Sequence, residues 1–243
     1  VAEIKEDIDE MARYHGRNGS QITTAFFQDA DSMILPTEDL LEVLKLLGEA
    51  FPSLTRITSY ARAKSLKRKS VQSLKTLKAA GLTRIHTGLE SGSVKVLKLI
   101  QKGESPEEMV EGGRRVMAAG IQLSEYIMPG VGGKDLSREN ALETADVLNR
   151  IRPDFIRVRT FALPPDSPME AMAREGRFVP MNDLEIVSEI RELLLHLEEM
   201  PSHFRCADFS LNLLMHIDGY LDRDRDRMRE DLDSFLSLPE PDQ

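Results

Sequence analysis

Five strand-like runs, each followed by a helix-like run, occupy residues 22–161, and this alternation leaves few folds open. The strand-like runs are 22–29, 54–62, 82–89, 121–128 and 154–161, with Val, Ile, Thr, Tyr and Phe frequent in them. Between them lie amphipathic stretches. The first places Leu40, Leu41, Leu44 and Leu47 on one helical face. The others span 70–80, 93–101, 105–120 and 137–149. Ser105-Pro106-Glu107-Glu108 is a strong helix start, with a capping serine, proline at the first turn and glutamate three residues after the cap. "AAGL" at 79–82 and "AAGI" at 118–121 each join a helix to a strand. Such repetition implies a parallel sheet, either open and doubly wound or closed into a barrel.

Alternation within the strands favours the barrel. Ile85, Thr87 and Leu89 share one face, while Arg84, His86, Gly88 and Glu90 share the other. Ile156, Val158 and Thr160 oppose Arg157 and Arg159, and Ile57, Ser59 and Ala61 oppose Thr58, Tyr60 and Arg62. A parallel sheet buried on both faces avoids such polarity, whereas a barrel or partial barrel with a polar lumen accommodates it. Ligands then sit at the carboxyl ends of the strands. Polar groups collect there: "FFQDADS" with Asp29 and Asp31, "SYARAKS" with Arg62, "HTGLESGS" with Glu90 and Ser91, the glycine-rich "IMPGVGGKD", and "RVRTFALPPDSPM". Carboxylates suit an ammonium and a ribose diol, a guanidinium suits a carboxylate, and bare glycine backbone allows close approach of a flat ring. The set fits a zwitterionic ligand with sugar hydroxyls. Neither GxGxxG nor a P-loop pattern is present.

Taken in order, "FQDADS", "SYARAKSL", "IHTGLESGSVKVLKLIQKG", "AAGIQLSEYIMPGVGGKD" and "FALPPDSPM" resemble the radical S-adenosylmethionine (SAM) superfamily. The likeness is to the branch holding the oxygen-independent coproporphyrinogen oxidase-like, Elp3-like and cobalamin-dependent members. It covers roughly residues 22–169. The resemblance implies an α/β fold: a partial (βα)6 TIM-like barrel of parallel strands over 1–170, its first strand missing, then a helical C-terminal extension over 171–243. It implies that Asp29 and Asp31 meet the methionine part of SAM and that Arg62 holds its carboxylate. Glu90 and Ser91 would contact SAM after the next strand, Met128, Pro129 and Gly130 would line the adenine, and Leu163 and Pro164 would lie near the same ring.

The family also uses a [4Fe–4S] cluster on three cysteines, and this chain has only Cys206. The expectation is that the cluster ligands and the first strand precede Val1, and that the full-length protein is an enzyme that cleaves SAM reductively, served by an electron donor. This chain alone is then inactive. A cluster-free SAM-binding or interaction module and a non-radical barrel lyase or synthase remain the alternatives. Simpler roles stand beside the ligand roles: Asp29 and Asp31 as turn caps, Arg62 in a surface ion pair, His86 filling the lumen, Arg157 and Arg159 in ion pairs. His203, Cys206 and His216 match no zinc spacing.

Composition narrows the class further. A net charge of −9 gives no overall basic footprint, so nucleic acid is not indicated as the main partner. No apolar run approaches a membrane span. One cysteine excludes an intrachain disulfide, and the expected compartment is the cytoplasm. The substrate is not written in any of these features.

Overall fold

A computed structural model of the chain describes residues 1–16, 21–28, 31–206 and 216–238. It is an α/β protein with a seven-stranded sheet in the order β1-β2-β3-β4-β5-β6-β7. The strands are β1 (Thr24–Phe27), β2 (Arg56–Ala61), β3 (Leu82–Glu90), β4 (Gln122–Ile127), β5 (Phe155–Val158), β6 (His203–Cys206) and β7 (Ile217–Tyr220). Pairs β1–β2, β2–β3 and β5–β6 are parallel, and β6–β7 is antiparallel. The helices are α1 (Ala2–His15), α2 (Thr37–Ala50), α3 (Ala63–Arg68), α4 (Val71–Ala79), α5 (Val94–Leu99), α6 (Pro106–Ala119), α7 (Gly133–Ile151), α8 (Pro168–Arg174), α9 (Asp183–His196) and α10 (Arg225–Leu236).

By internal packing the chain divides into two units, residues 1–87 with 111–124 and residues 88–110 with 125–243. In the first unit, α2 buries Leu40, Val43, Leu44 and Leu47. Val43 takes the inward place expected of Leu41, which is half-buried. Val43, Leu47 and Phe51 pack with Ile8 of α1. In the second unit, α9 packs on both α7 and α10. Its inner face buries Ile186, Val187, Ile190, Leu193 and Leu194. Each fully buried side chain of this size stabilises the fold by roughly 1.5–3 kcal/mol.

Local capping chemistry explains the sharpest boundaries. At α6 the Glu108 amide donates to the Ser105 hydroxyl (3.2 Å) and the Ser105 amide donates back to the Glu108 carboxylate (3.0 Å). Asn182 and Glu185 make the same reciprocal pair at the start of α9. The sequence reading also differs from the structure in the short helix α3, at the start of α7 and after residue 171. Helix α7 begins at Gly133, four residues before the expected Ser137, because a turn through Gly132 and Gly133 feeds directly into it. The stretch after residue 171, expected to be helical, also carries β6 and β7, which continue the sheet.

Candidate functional site

Strand β3 ends on an unusual backbone. Glu90 has φ of 60°, in the left-handed region that side-chain-bearing residues rarely occupy. Its carboxylate folds back over the strand. A Cβ built on Gly88 would lie 2.2 Å from Glu90 Oε1, so the bare backbone of Gly88 is what makes room for the side chain. Lys102 Nζ donates to the same oxygen at 3.3 Å, and both side chains are about one-fifth exposed. The lysine closes the "LKLIQKG" run, so the two halves of that motif meet as an ion pair.

The other residues of "ESGS" serve the turn. Ser91 is fully buried, and its hydroxyl accepts the Ser93 amide at 2.9 Å. Gly92 lies against the backbone of α7, and its amide donates to Thr144 Oγ1 at 2.8 Å. Ser93 caps α5 and donates to Glu139 at 2.6 Å. Lys95, with help from the Ser93 hydroxyl, holds the Glu139 carboxyl below the usual range.

The turn after β4 is tied to the same region. The Met128 amide donates to the Glu90 carbonyl (2.8 Å), and the Pro129 carbonyl accepts the Phe161 amide (2.9 Å). The Gly130 amide donates to Glu189 Oε1 of α9 at 3.1 Å. Glu189 is 4% exposed. Burial pushes its carboxyl up from the ordinary range, more strongly than its hydrogen bonds with Ser137, Gly130 and Asn140 pull it down. The sign of the pH effect follows. A carboxyl that holds its proton more tightly when folded favours the fold most at low pH, and that contribution is lost as pH rises through its raised pKa. The difference in thermal midpoint between wild type and Glu189→Gln should therefore shift against wild type as pH rises from about 4 to 8, read by scanning calorimetry. A pH-independent difference would contradict it.

Beside these turns, Arg157 and Arg159 alternate with the fully buried Ile156 and Val158, as the strand parity requires. Their guanidinium carbons lie 5.9 Å and 4.3 Å from the Tyr126 ring centroid. Leu163 is half-buried and Pro164 exposed in the loop after β5, where the Pro164 carbonyl accepts the Ser167 hydroxyl at 2.7 Å.

In the first unit, Asp31 and Arg62 come together, though through backbone. One Asp31 oxygen accepts the Arg62 amide (3.0 Å) and the other the Ser65 hydroxyl (2.5 Å), so Asp31 secures the start of α3. Arg62 is exposed at that helix start. His86 is buried and packs against Phe26 and Tyr60 at centroid distances of 5.7 and 5.8 Å. Asp29 lies outside the described residues. Sequence reasoning missed Lys102, Asn140, Thr144 and Glu189. Lys102 alone was legible, as part of a quoted motif.

Residues 2–146 match the Radical SAM superfamily. The chain belongs to that superfamily. Among solved structures, this radical SAM chain is similar to the archaeal Methanocaldococcus infernus Elp3 with an N-terminal deletion of residues 1–46. The TM-score is 0.63 at 14% identity, over 97% of this chain and 58% of that one. It is also similar to coproporphyrinogen III oxidase (HemN) from Escherichia coli. There the TM-score is 0.60 at 16% identity, over 79% of this chain and 44% of that one. These likenesses show the fold, the partial barrel of radical SAM domains. A curated relative, the tRNA uridine(34) acetyltransferase of Methanocaldococcus infernus, is 23% identical over 111 residues. The match covers 45% of this chain and 21% of that protein's length.

The second unit carries the types of group that the superfamily's SAM would engage. It offers a carboxylate for a cationic ligand, guanidinium groups for a carboxylate, an aromatic ring, and glycine-containing backbone beside it. It does not fit the iron–sulfur cluster. The single cysteine, Cys206, is buried in β6 and cannot supply three thiolates. Among the described residues no group of His, Cys, Asp or Glu could hold a metal ion. No described helix is long and apolar enough to cross a membrane.

Proposed function

We propose that this chain is the SAM-binding part of a radical SAM enzyme, and that its own residues bind and orient SAM while the cluster's thiolates come from elsewhere. The observation that supports this most is Glu90. A glutamate kept in a left-handed conformation costs roughly 1 kcal/mol or more, and a surface-type pair with Lys102 returns at most about that amount. Its carboxylate is held ready over Gly88 rather than dispersed in solvent. In this reading Glu90 accepts hydrogen bonds from the polar groups of SAM. Lys102 orients the Glu90 carboxylate through their 3.3 Å contact. Arg157 and Arg159 balance the ligand's carboxylate. The Met128–Pro129–Gly130 turn offers flat backbone to the adenine. Bound SAM supplies the radical precursor; the chain's part is to hold it still and dry. The single cysteine favours this division of labour.

The test is calorimetric titration of SAM into wild type and Glu90→Ala. Loss of a charge-assisted hydrogen bond should cost about 1.5–3 kcal/mol, roughly a tenfold to hundredfold loss of affinity. A folded variant that binds SAM as tightly as wild type would leave "ESGS" as a turn and a helix cap. A wild-type chain that does not bind SAM would remove the proposal altogether.

A further inference from the structure

A line of buried hydrogen bonds joins the turn after β3 to the turn after β4 through two helices. The Gly92 amide donates to Thr144 Oγ1 at 2.8 Å. That hydroxyl donates to Asn140 Oδ1 at 3.4 Å. The Asn140 amide nitrogen donates to Glu189 Oε1 at 2.7 Å and also lies 3.5 Å from the Met128 carbonyl. The Gly130 amide donates to the same Glu189 oxygen at 3.1 Å. Thr144, Asn140 and Glu189 are each no more than 4% exposed.

We infer that Glu189, on α9, is a positioning residue for SAM: through Asn140 and Thr144 it sets the two turns that the proposed SAM site uses. The inference rests on the SAM reading of the second unit. Three features carry it. First, both ends of the line are backbone amides of those turns, Gly92 and Gly130, not side chains that merely pin one helix to another. Second, the polarity is forced. Two amide donors converge on one Glu189 oxygen, so the group there must be an acceptor, and with the Asn140 nitrogen turned toward it the Asn140 oxygen is left to receive Thr144. Third, there is little room for slack. Glu90, Met128, Pro129, Asn140, Thr144 and Glu189 line a void of only about 10 Å³. Ile186, one turn before Glu189, adds a packing contact. A Cβ at Gly130 would lie 3.1 Å from its side chain.

Helix α9 lies beyond residues 2–146, the part of the chain that matches the superfamily. The positioning group thus comes from the C-terminal segment, which the sequence alone marks only as a helical extension. A buried polar network of this kind favours one arrangement of its partners. Removing the Glu189 acceptor leaves the Gly130 amide buried without its partner, and leaves the Asn140 amide nitrogen with only the 3.5 Å contact to the Met128 carbonyl.

The test uses the 243-residue chain and two readouts, amide hydrogen exchange at Gly92 and Gly130 by NMR and SAM affinity by calorimetry. Glu189→Ala should speed exchange at both amides by at least about tenfold and weaken SAM binding by at least about tenfold, each equivalent to roughly 1.4 kcal/mol. Glu189→Gln retains an acceptor oxygen and should restore both to within about threefold of wild type. Leu74→Ala, at a fully buried position of the first unit, controls for lost stability. It should leave Gly92, Gly130 and SAM affinity unchanged relative to its general destabilisation. Thr144→Val breaks the line at its other end. It should speed Gly92 exchange and weaken SAM binding in the same direction, which keeps the test alive if Glu189→Ala fails to fold. Wild-type SAM affinity in folded Glu189→Ala, or unchanged Gly92 exchange in both variants, would overturn the positioning role while leaving the SAM reading intact. A wild-type chain that binds no SAM in the same titration would overturn the SAM reading, and the positioning role with it, whatever the exchange rates.

Discussion

Gly92→Ala is expected to destabilise the protein by about 3 kcal/mol or more, at the upper end of overpacking effects. A Cβ there would lie 2.1 Å from the Glu143 carbonyl oxygen, 2.4 Å from its carbon and 2.7 Å from Thr144 Cα. All three are backbone atoms of α7, so no rotamer change relieves the clash. Either the turn lifts and loses its bond to Thr144, or the helix shifts. For a chain of this size the loss corresponds to a fall in thermal midpoint of roughly 6–12 °C. Gly48→Ala is the control. Gly48 lies within α2 with nothing inside 4 Å of its added Cβ, so alanine should stabilise by roughly 0.5–1 kcal/mol. Both are read from urea unfolding midpoints. A Gly92→Ala protein as stable as wild type would mean that the turn does not lie against α7.

Phe204→Ala should cost about 3–5 kcal/mol, the usual penalty for emptying a buried phenylalanine site. Phe204 is fully buried in β6, paired with Ile156 of β5 on one side and Gly219 of β7 on the other. The prediction separates a strand that belongs to the core from one appended to it. A loss below about 1 kcal/mol, within the range of surface substitutions or little above it, would make β6 an appendage. Denaturant unfolding monitored by far-ultraviolet circular dichroism gives the number.

Strand β6 also shows where sequence patterning stops. Its four residues alternate, with Phe204 and Cys206 buried between less buried His203 and Arg205, but four residues carry too little periodicity to stand out beside a long amphipathic helix. The five earlier strands were legible because each sits between helix signals that rest on local chemistry, such as Ser105 with Glu108. The start of α7 was not, because a glycine pair reads as a loop until tertiary packing turns it into a helix entrance. The site divides in the same way. Glu90 was legible from strand parity and motif. Its setting was not: Lys102 folds back onto it after a full helix, and the bonds that hold the neighbouring turns join residues 52 and 59 positions apart. Asp31 carries the chemistry of a ligand; what the sequence does not show is that its two oxygens also accept the Arg62 amide and the Ser65 hydroxyl at the start of α3. A one-dimensional reading finds the donors and acceptors but not which of them the fold has already engaged.

The left-handed backbone at Glu90 has a consequence for how this chain would drift under different selection pressures. Glycine is the residue that such a backbone favours. A library randomised at position 90 and sorted only for folded, protease-resistant protein should enrich glycine and asparagine, whereas sorting the same library for retention of SAM should bring back glutamate. With Glu90 holding SAM as proposed, the two optima should disagree at this one position, and the size of the disagreement would measure how much conformational stability is forgone to present a single carboxylate.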